Sequence, residues 1–276
     1  MNLIIQGAEV ATADLKHLAR LGGATAIESI AANAFRLVGA APFPELAPHC
    51  EQAGLDYGFV PENRRLADFR LVVMDMDSTL ITIECIDEIA DFHGLKVQVA
   101  RITAAAMRGE IDFRESLRQR VDLLEGTTED ALMRVYEERL RLSPGADRLL
   151  ARLHATGIKT LLVSGGFTFF TERLRARLGL DYTCSNTLEI EDGRLTGRVL
   201  GEIVDADGKL AALRRVRDEL GLKKEPVIGI GDGANDLKFM AECGVSIAYH
   251  AKPVVRAQAT YALNFVGLDG VLNLFN

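Results

Sequence analysis

Apolar and polar positions change their period along the chain, and the changes mark its elements. Near the N-terminus Asn2–Gln6 is a short apolar run that predicts a strand. Ala13–Leu21 carries its leucines at helical spacing and stops at Gly22-Gly23. Ile27–Ile30 and Ala34–Val38 predict two short strands around an Ala-Asn pair. Glu45–Ala53 predicts a helix ending at Gly54, with Pro48 tolerable only in its first turn, and Tyr57–Val60 predicts another strand. The order βαββαβ is that of a ferredoxin-like sandwich, which places a small α+β domain at residues 1–65. Pro61–Arg65, polar and opened by proline, is the expected linker to a second domain at 66–276.

From Arg70 onward strand and helix alternate, the pattern of an α/β fold with a parallel, Rossmann-like sheet and helices on its faces. Strands are predicted at Arg70–Met74, Lys159–Val163, Tyr182–Ser185, Pro226–Ile230 and Val245–Ala248. Helices Arg173–Leu178 and Leu210–Leu220 stop at Gly179 and Gly221. One stretch breaks the alternation: helices are predicted consecutively at 84–93, 96–107, 113–125 and 129–141. Asp112-x-x-Glu115, a capping-box pattern, and Thr127-x-x-Asp130 stand at two of their starts. A helical block between the first strand and the next predicts a cap, about 84–145, inserted over the carboxyl ends of the sheet. The alternating 188-LEIEDGRLTGRV-199 turns on Asp192-Gly193, a hairpin signal.

Composition narrows the classes. The 276 residues are 48% apolar and 26% charged, an ordinary globular balance, and enough for one large domain or a core domain with a smaller one. A net charge of −7 argues against a general nucleic-acid or anionic-membrane surface, so an anionic substrate must meet local cations, metal or backbone amides. The four cysteines, Cys50, Cys85, Cys184 and Cys243, show no metal-ligand spacing and are expected as reduced thiols in a cytoplasmic setting. The first residues, MNLIIQGAEVATADLK, lack the basic and long apolar regions of a signal peptide, and no apolar run reaches the roughly 18 residues of a membrane span. The five histidines show no metal spacing either.

In open α/β sheets, ligands bind beyond the carboxyl ends of the strands. Asp75, Asp77, Ser78 and Thr79 follow the first strand of the second domain, and Ser164-Gly165-Gly166 follows the next. Gly231, Asp232, Gly233, Ala234, Asn235 and Asp236 follow the strand at 226–230, and Lys209 opens the helix before it. Alone, Asp75 and Asp77 could be loop polar residues, Asp232 a helix cap, Ser164 a turn hydroxyl and Lys209 a solvated lysine. Together they suit phosphoryl transfer. A phosphate monoester is a dianion that an aspartate nucleophile would repel, by about 4 kcal/mol per charge pair at about 4 Å and an effective dielectric near 20. A hard divalent cation on oxygen ligands, a lysine and the amides of a glycine-rich turn offset that repulsion. Two carboxylates in one site push their pKa values apart, so one can attack while the other carries a proton.

DMDST, then Ser164-Gly165, Lys209 and GDGAND, resembles the four motifs of the haloacid dehalogenase superfamily of phosphotransferases over about residues 70–276. More closely, MDMDSTLITIE, FRESLRQRVDLLEG, LVSGGF and IGIGDGANDLKFM resemble the phosphoserine phosphatase family within it. The resemblance implies Asp75 as the nucleophile that becomes an aspartyl phosphate. It implies Asp77 as acid for the leaving serine and base for the hydrolytic water. It implies Mg²⁺ on Asp75, Asp232 and the Asp77 backbone carbonyl. Ser164, the Gly165 amide and Lys209 would hold the phosphate, Asn235 would touch or support it, and Asp236 would support Lys209 or the metal shell.

Glu84 matches the family residue that faces the amino group of the small-molecule substrate, phosphoserine, and Arg120 the one that pairs with its carboxylate. Met107 and Phe113 match apolar residues that cover the site. From spacing alone Glu84 and Arg120 read as solvated helix residues; only the resemblance gives them a binding role. It also implies a place at the end of serine biosynthesis. The open alternatives are another small phosphorylated substrate, transfer to an acceptor such as homoserine, or a signalling module phosphorylated on Asp75. At the level of fold, residues 1–65 resemble ACT-type regulatory domains. No residue there names a ligand, so serine sensing, a homodimer interface and mere packing all stay open.

Overall fold

A computed structural model of the chain describes residues 1–275. It divides into two compact units: Met1–Val72 with Ser143–Lys159 and Leu222–Asn276, and Val73–Leu142 with Thr160–Gly221.

The first unit opens with strands β1 (Asn2–Gly7), β2 (Ala26–Ala31), β3 (Ala34–Val38) and β4 (Leu55–Val60) and helices α1 (Thr12–Gly22) and α2 (Leu46–Ala53). The elements follow the βαββαβ order, in an antiparallel sheet β2-β3-β1-β4. Both helices end where Gly23 and Gly54 turn left-handed, and Pro48 stands in the first turn of α2. Alternation along β1 sends Leu3 and Ile5 to one face, where they meet Leu15 and Leu18 of α1 and Leu46 and Cys50 of α2. Each such side chain contributes about 1.5–3 kcal/mol on full burial. Gln6 points to the other face, donates to Gly270 O and accepts from Asn273, residues of the terminal helix α12 (Gly270–Leu274). Both faces of β1 are thereby covered.

The same unit holds β9 (Val227–Gly231), β10 (Val245–Tyr249) and β11 (Tyr261–Leu263), parallel neighbours in the order β11-β10-β9, followed by the first residues of β5 (Leu71–Asp75). β11 and α12 are only three and five residues long, and the apolar pattern does not mark either.

The second unit continues from the end of β5 through β6 (Lys159–Phe167), β7 (Tyr182–Glu191) and β8 (Arg194–Leu200), in the order β5-β6-β7-β8. β6 and β7 are parallel. β7 and β8 form the expected hairpin, with Asp192 and Gly193 both at positive φ (47° and 72°) and Glu191 facing Arg194. β6 runs four residues further than expected, through Ser164-Gly165-Gly166 to Phe167.

The cap comprises α3 (Cys85–Phe92), α4 (Lys96–Met107), α5 (Phe113–Asp122) and α6 (Glu129–Arg134), the last prolonged by a wider turn to Arg139. Asp112 caps α5, its Oδ1 accepting from Glu115 N at 2.8 Å. For α6 the cap is one residue later than expected: Thr128, not Thr127, accepts from Ala131 N. Lys209 does not open its helix. That helix, α9 (Ala206–Glu219), begins three residues earlier because Asp205 caps it by accepting from Asp207 N and Gly208 N.

Candidate active site

The apolar strand β5 delivers Asp75 to its own end, and both the strand and Asp75 are buried. Asp75 Oδ1 accepts from Met76 N at 2.7 Å, and Oδ2 lies 2.8 Å from Lys209 Nζ. Lys209 is itself buried, an arrangement a lysine tolerates only with a partner. The chain then turns sharply, with Ser78 at φ 56°, so that Asp77 faces back toward β6 and α3. Cys85 N donates to Asp77 Oδ1 at 2.9 Å, and Ser164 Oγ lies 3.4 Å from Oδ2. Removal from water pushes the Asp77 carboxyl up to about 7, and the charge of Glu84 adds to the rise. The N–H and thiol of Cys85 and the charge of Lys209 pull the other way. Two carboxylates two residues apart thus sit in opposite settings, one paired with a cation and one leaning toward its neutral form.

The end of β6 explains its glycines. A Cβ at Gly166 would lie 2.8 Å from Asp77 Oδ2 and 3.0 Å from Ser164 Oγ, so only glycine lets the strand approach the acid this closely. Gly166 N donates to Ser164 Oγ at 2.8 Å. Asn186, buried on β7, holds the neighbouring turn: its Nδ2 donates to Gly165 O and its Oδ1 accepts from Val204 N, both at 2.8 Å.

The cap side of this unit carries Glu84, Arg120, Phe113 and Met107. Glu84 is exposed at the start of α3 and accepts from Ser78 Oγ at 2.7 Å. Arg120 donates from Nε to Ser116 O at 3.2 Å. Burial pulls the Arg120 guanidinium pKa down, while Asp87, Glu84 and Asp77 favour its charged form. Phe113 reaches the β6 turn, its Cζ 3.0 Å from where a Cβ on Gly165 would stand. Met107, at the end of α4, is 70% exposed.

In the first unit, Asp232, Asn235 and Asp236 occupy the turn after β9. Asp236 is fully buried, and its Oδ2 accepts from Asp232 N at 3.2 Å and Gly233 N at 3.1 Å. A Cβ on Gly231 would strike the Asp236 carboxylate at 2.5 Å, so the glycine is what admits this brace. Asp232 O accepts from Lys252 N at 3.1 Å, and Asn235 is half-buried against Gly233. Asp232 and Asp236 thus bring two carboxylates to this turn, oxygen donors of the kind hard cations take. Sequence reasoning missed Cys85, Asn186 and Lys252. Lys252 acts through its backbone N–H and leaves no signal in side-chain type, and Cys85 acts through its N–H and its thiol but reads as an ordinary apolar helix residue. Asn186 does leave one, a lone amide inside a strand.

The model for haloacid dehalogenase-like hydrolases matches residues 72–241, and the chain belongs to that family. A second model, a domain of unknown function (DUF4072), matches residues 3–46. A phosphoserine phosphatase of Polaromonas sp. is 54% identical over 226 residues, which cover 80% of this chain and 96% of that protein. The crystal structure of a probable phosphoserine phosphatase from Vibrio cholerae superposes with a TM-score of 0.88 at 39% identity, over 99% of this chain and 86% of that one. A phosphoserine phosphatase solved as a phospho-aspartyl intermediate analogue gives a TM-score of 0.70 at 34% identity, over 75% of this chain and 99% of that one.

Proposed function

We propose that the protein is a Mg²⁺-dependent phosphoserine phosphatase, converting O-phospho-L-serine and water to L-serine and phosphate. The observation that carries the chemistry is the buried Asp75–Lys209 pair beside a second carboxyl, Asp77, whose surroundings favour its protonated form.

An Asp75 oxygen attacks phosphorus, and the phosphorus–oxygen ester bond breaks as Asp77 gives its proton to the departing serine oxygen. Water then attacks the aspartyl phosphate. Asp77 takes the water's proton, and cleavage of the phosphorus–Asp75 bond releases phosphate and restores both side chains. Lys209, Ser164 and the Gly165 N–H hold the phosphate oxygens, with Asn235 beside them. As the family resemblance implies, Asp75, the Asp77 carbonyl and Asp232 would hold Mg²⁺, which would supply positive charge against the phosphate dianion. Asp236, whose carboxylate already holds two amides of the turn, acts as the brace for Asp232.

Substrate choice follows from the cap. A zwitterionic amino-acid head needs one anion and one cation, and Glu84 and Arg120 supply them. Phe113 covers the turn that receives the phosphate, and Met107 closes over the site with α4 when substrate is bound. Such an enzyme completes serine biosynthesis in the cytoplasm, and no described helix is long and apolar enough to cross a membrane.

The test is phosphate release with and without Mg²⁺ from phosphoserine, phosphothreonine, phosphoethanolamine and sugar phosphates, with homoserine added as acceptor in one arm. Multiple turnover with phosphoserine preferred is expected. Preference for another ester, or phosphohomoserine as product, would overturn the substrate assignment.

A further inference from the structure

We propose that the N-terminal sheet is the outer support of the Asp232 turn, with Asp56 and His250 as positioning residues for Asp232. The inference rests on the assignment of Asp232 as a metal ligand, and every link lies within the first unit.

Asp56, on the edge strand β4, is almost fully buried. Its carboxylate accepts from three successive amides beyond β11: Asn264 N at 2.7 Å, Phe265 N at 2.9 Å and Val266 N at 3.1 Å. Consecutive N–H groups turned on one anion form a tight anion cradle, here filled by the protein's own side chain. The segment after β11 is thereby clamped to the N-terminal sheet. That segment in turn holds His250: Leu263 O accepts from His250 N at 2.7 Å, and Val266 O accepts from His250 Nε2 at 3.2 Å.

His250 has φ 45°, a left-handed conformation that a residue with a Cβ keeps only where its surroundings over-determine it. The turn it makes carries Lys252 N to Asp232 O at 3.1 Å. The Asp232 peptide is therefore fixed on both sides. Its N–H is held by Asp236, and its C=O by a turn whose shape depends on His250 and, behind that, on Asp56. Groups behind a metal ligand set its aim, and so its affinity.

The test uses the full chain, stripped of divalent ions and titrated with Mg²⁺ by calorimetry, with phosphate release followed in parallel. Asp56→Asn keeps the shape but loses the charge and acceptor capacity for three amides. It is expected to raise the Mg²⁺ half-saturation about 5–20-fold, toward the range seen for partners of metal ligands, with KM for phosphoserine at saturating Mg²⁺ nearly unchanged. His250→Val, β-branched and unsuited to positive φ, should weaken Mg²⁺ in the same direction, and His250→Gly, which keeps the φ but loses the Nε2 contact to Val266 O, should fall between the parent and the Val variant. A folded Asp56→Asn protein with a lowered Tm but unchanged Mg²⁺ binding would reduce Asp56 to a structural tie and overturn the proposal. If Asp56→Asn does not fold, the His250 pair decides, and equal Mg²⁺ binding by the Val and Gly variants overturns it. Parent protein that takes up no Mg²⁺ would overturn the metal assignment of Asp232 itself, and this inference with it.

Discussion

Lys209 Nζ lies 2.8 Å from Asp75 Oδ2, and both side chains are buried. Asp75, the nucleophile of the proposed reaction, is thus paired with a buried cation. Removing one partner of a buried pair strands the other's charge and typically costs about 3–5 kcal/mol. Lys209→Met should lose about that much stability in urea unfolding without divalent ions, and turnover with it. In the double variant with Asp75→Asn the loss should be clearly smaller than the sum of the two single losses. Strict additivity would mean that the two groups are not coupled.

Arg120 belongs to the recognition of the amino-acid head in the proposed function. Arg120→Ala should lower kcat/KM for phosphoserine by about 10–100-fold, the worth of a charge-assisted contact, and change kcat/KM for an aryl phosphate much less. Steady-state kinetics on both substrates decides. Equal losses would remove Arg120 from recognition.

Asp77 makes stability depend on pH in an unusual direction. Its pKa in the fold is raised from 3.8 to about 7, so the folded state holds the proton more tightly than the unfolded chain. The stabilisation is complete below the unfolded value and is lost as pH rises through the folded one. Between about pH 4 and pH 7 the parent should lose stability relative to Asp77→Asn, on the order of a few kcal/mol at about 1.4 kcal/mol per pKa unit. Chemical unfolding across that range, with divalent ions chelated, measures the difference. A flat or opposite trend would contradict the raised pKa.

Asn186 should matter although it is assigned no substrate contact. Asn186→Ala leaves Gly165 O and Val204 N unpaired where Asn186 was buried, at about 1–3 kcal/mol for each buried group. A lower Tm together with weaker inhibition by inorganic phosphate is expected, because the Gly165 turn is loosened. A lower Tm with unaltered phosphate inhibition would confine Asn186 to stability.

Local signals carried much of this molecule. The Asp192-Gly193 hairpin, the glycine stops at 23, 54 and 179, the cap at Asp112 and the order of the N-terminal elements are all encoded within a few residues of where they act. Asp75, Asp77 and Ser164 stood out for another reason: a strand end followed by carboxylates or glycines is itself a short-range pattern, whereas Lys209, inside α9, stood out only through the family resemblance. What escaped depends on which of several local cap candidates is used, or on distant partners. The start of α9 is fixed by the Asp205 side chain, which also pairs with Arg114, and Thr128 rather than Thr127 is the cap because only one of two adjacent threonines turns toward Ala131 N. The three residues of β11 have no periodicity to read and are defined by pairing with β10. Asp56 looks like any strand-end carboxylate until its three amides, more than two hundred residues away, are in place.

In the proposed reaction Asp75 accepts the phosphoryl group. Protein mixed with ³²P-labelled phosphoserine and Mg²⁺, and quenched in acid within a turnover, should carry label in a hydroxylamine-sensitive acyl phosphate, and Asp75→Asn should carry none. Label retained in the Asp75→Asn protein, or steady phosphate release with no labelled protein at any quench time, would contradict it.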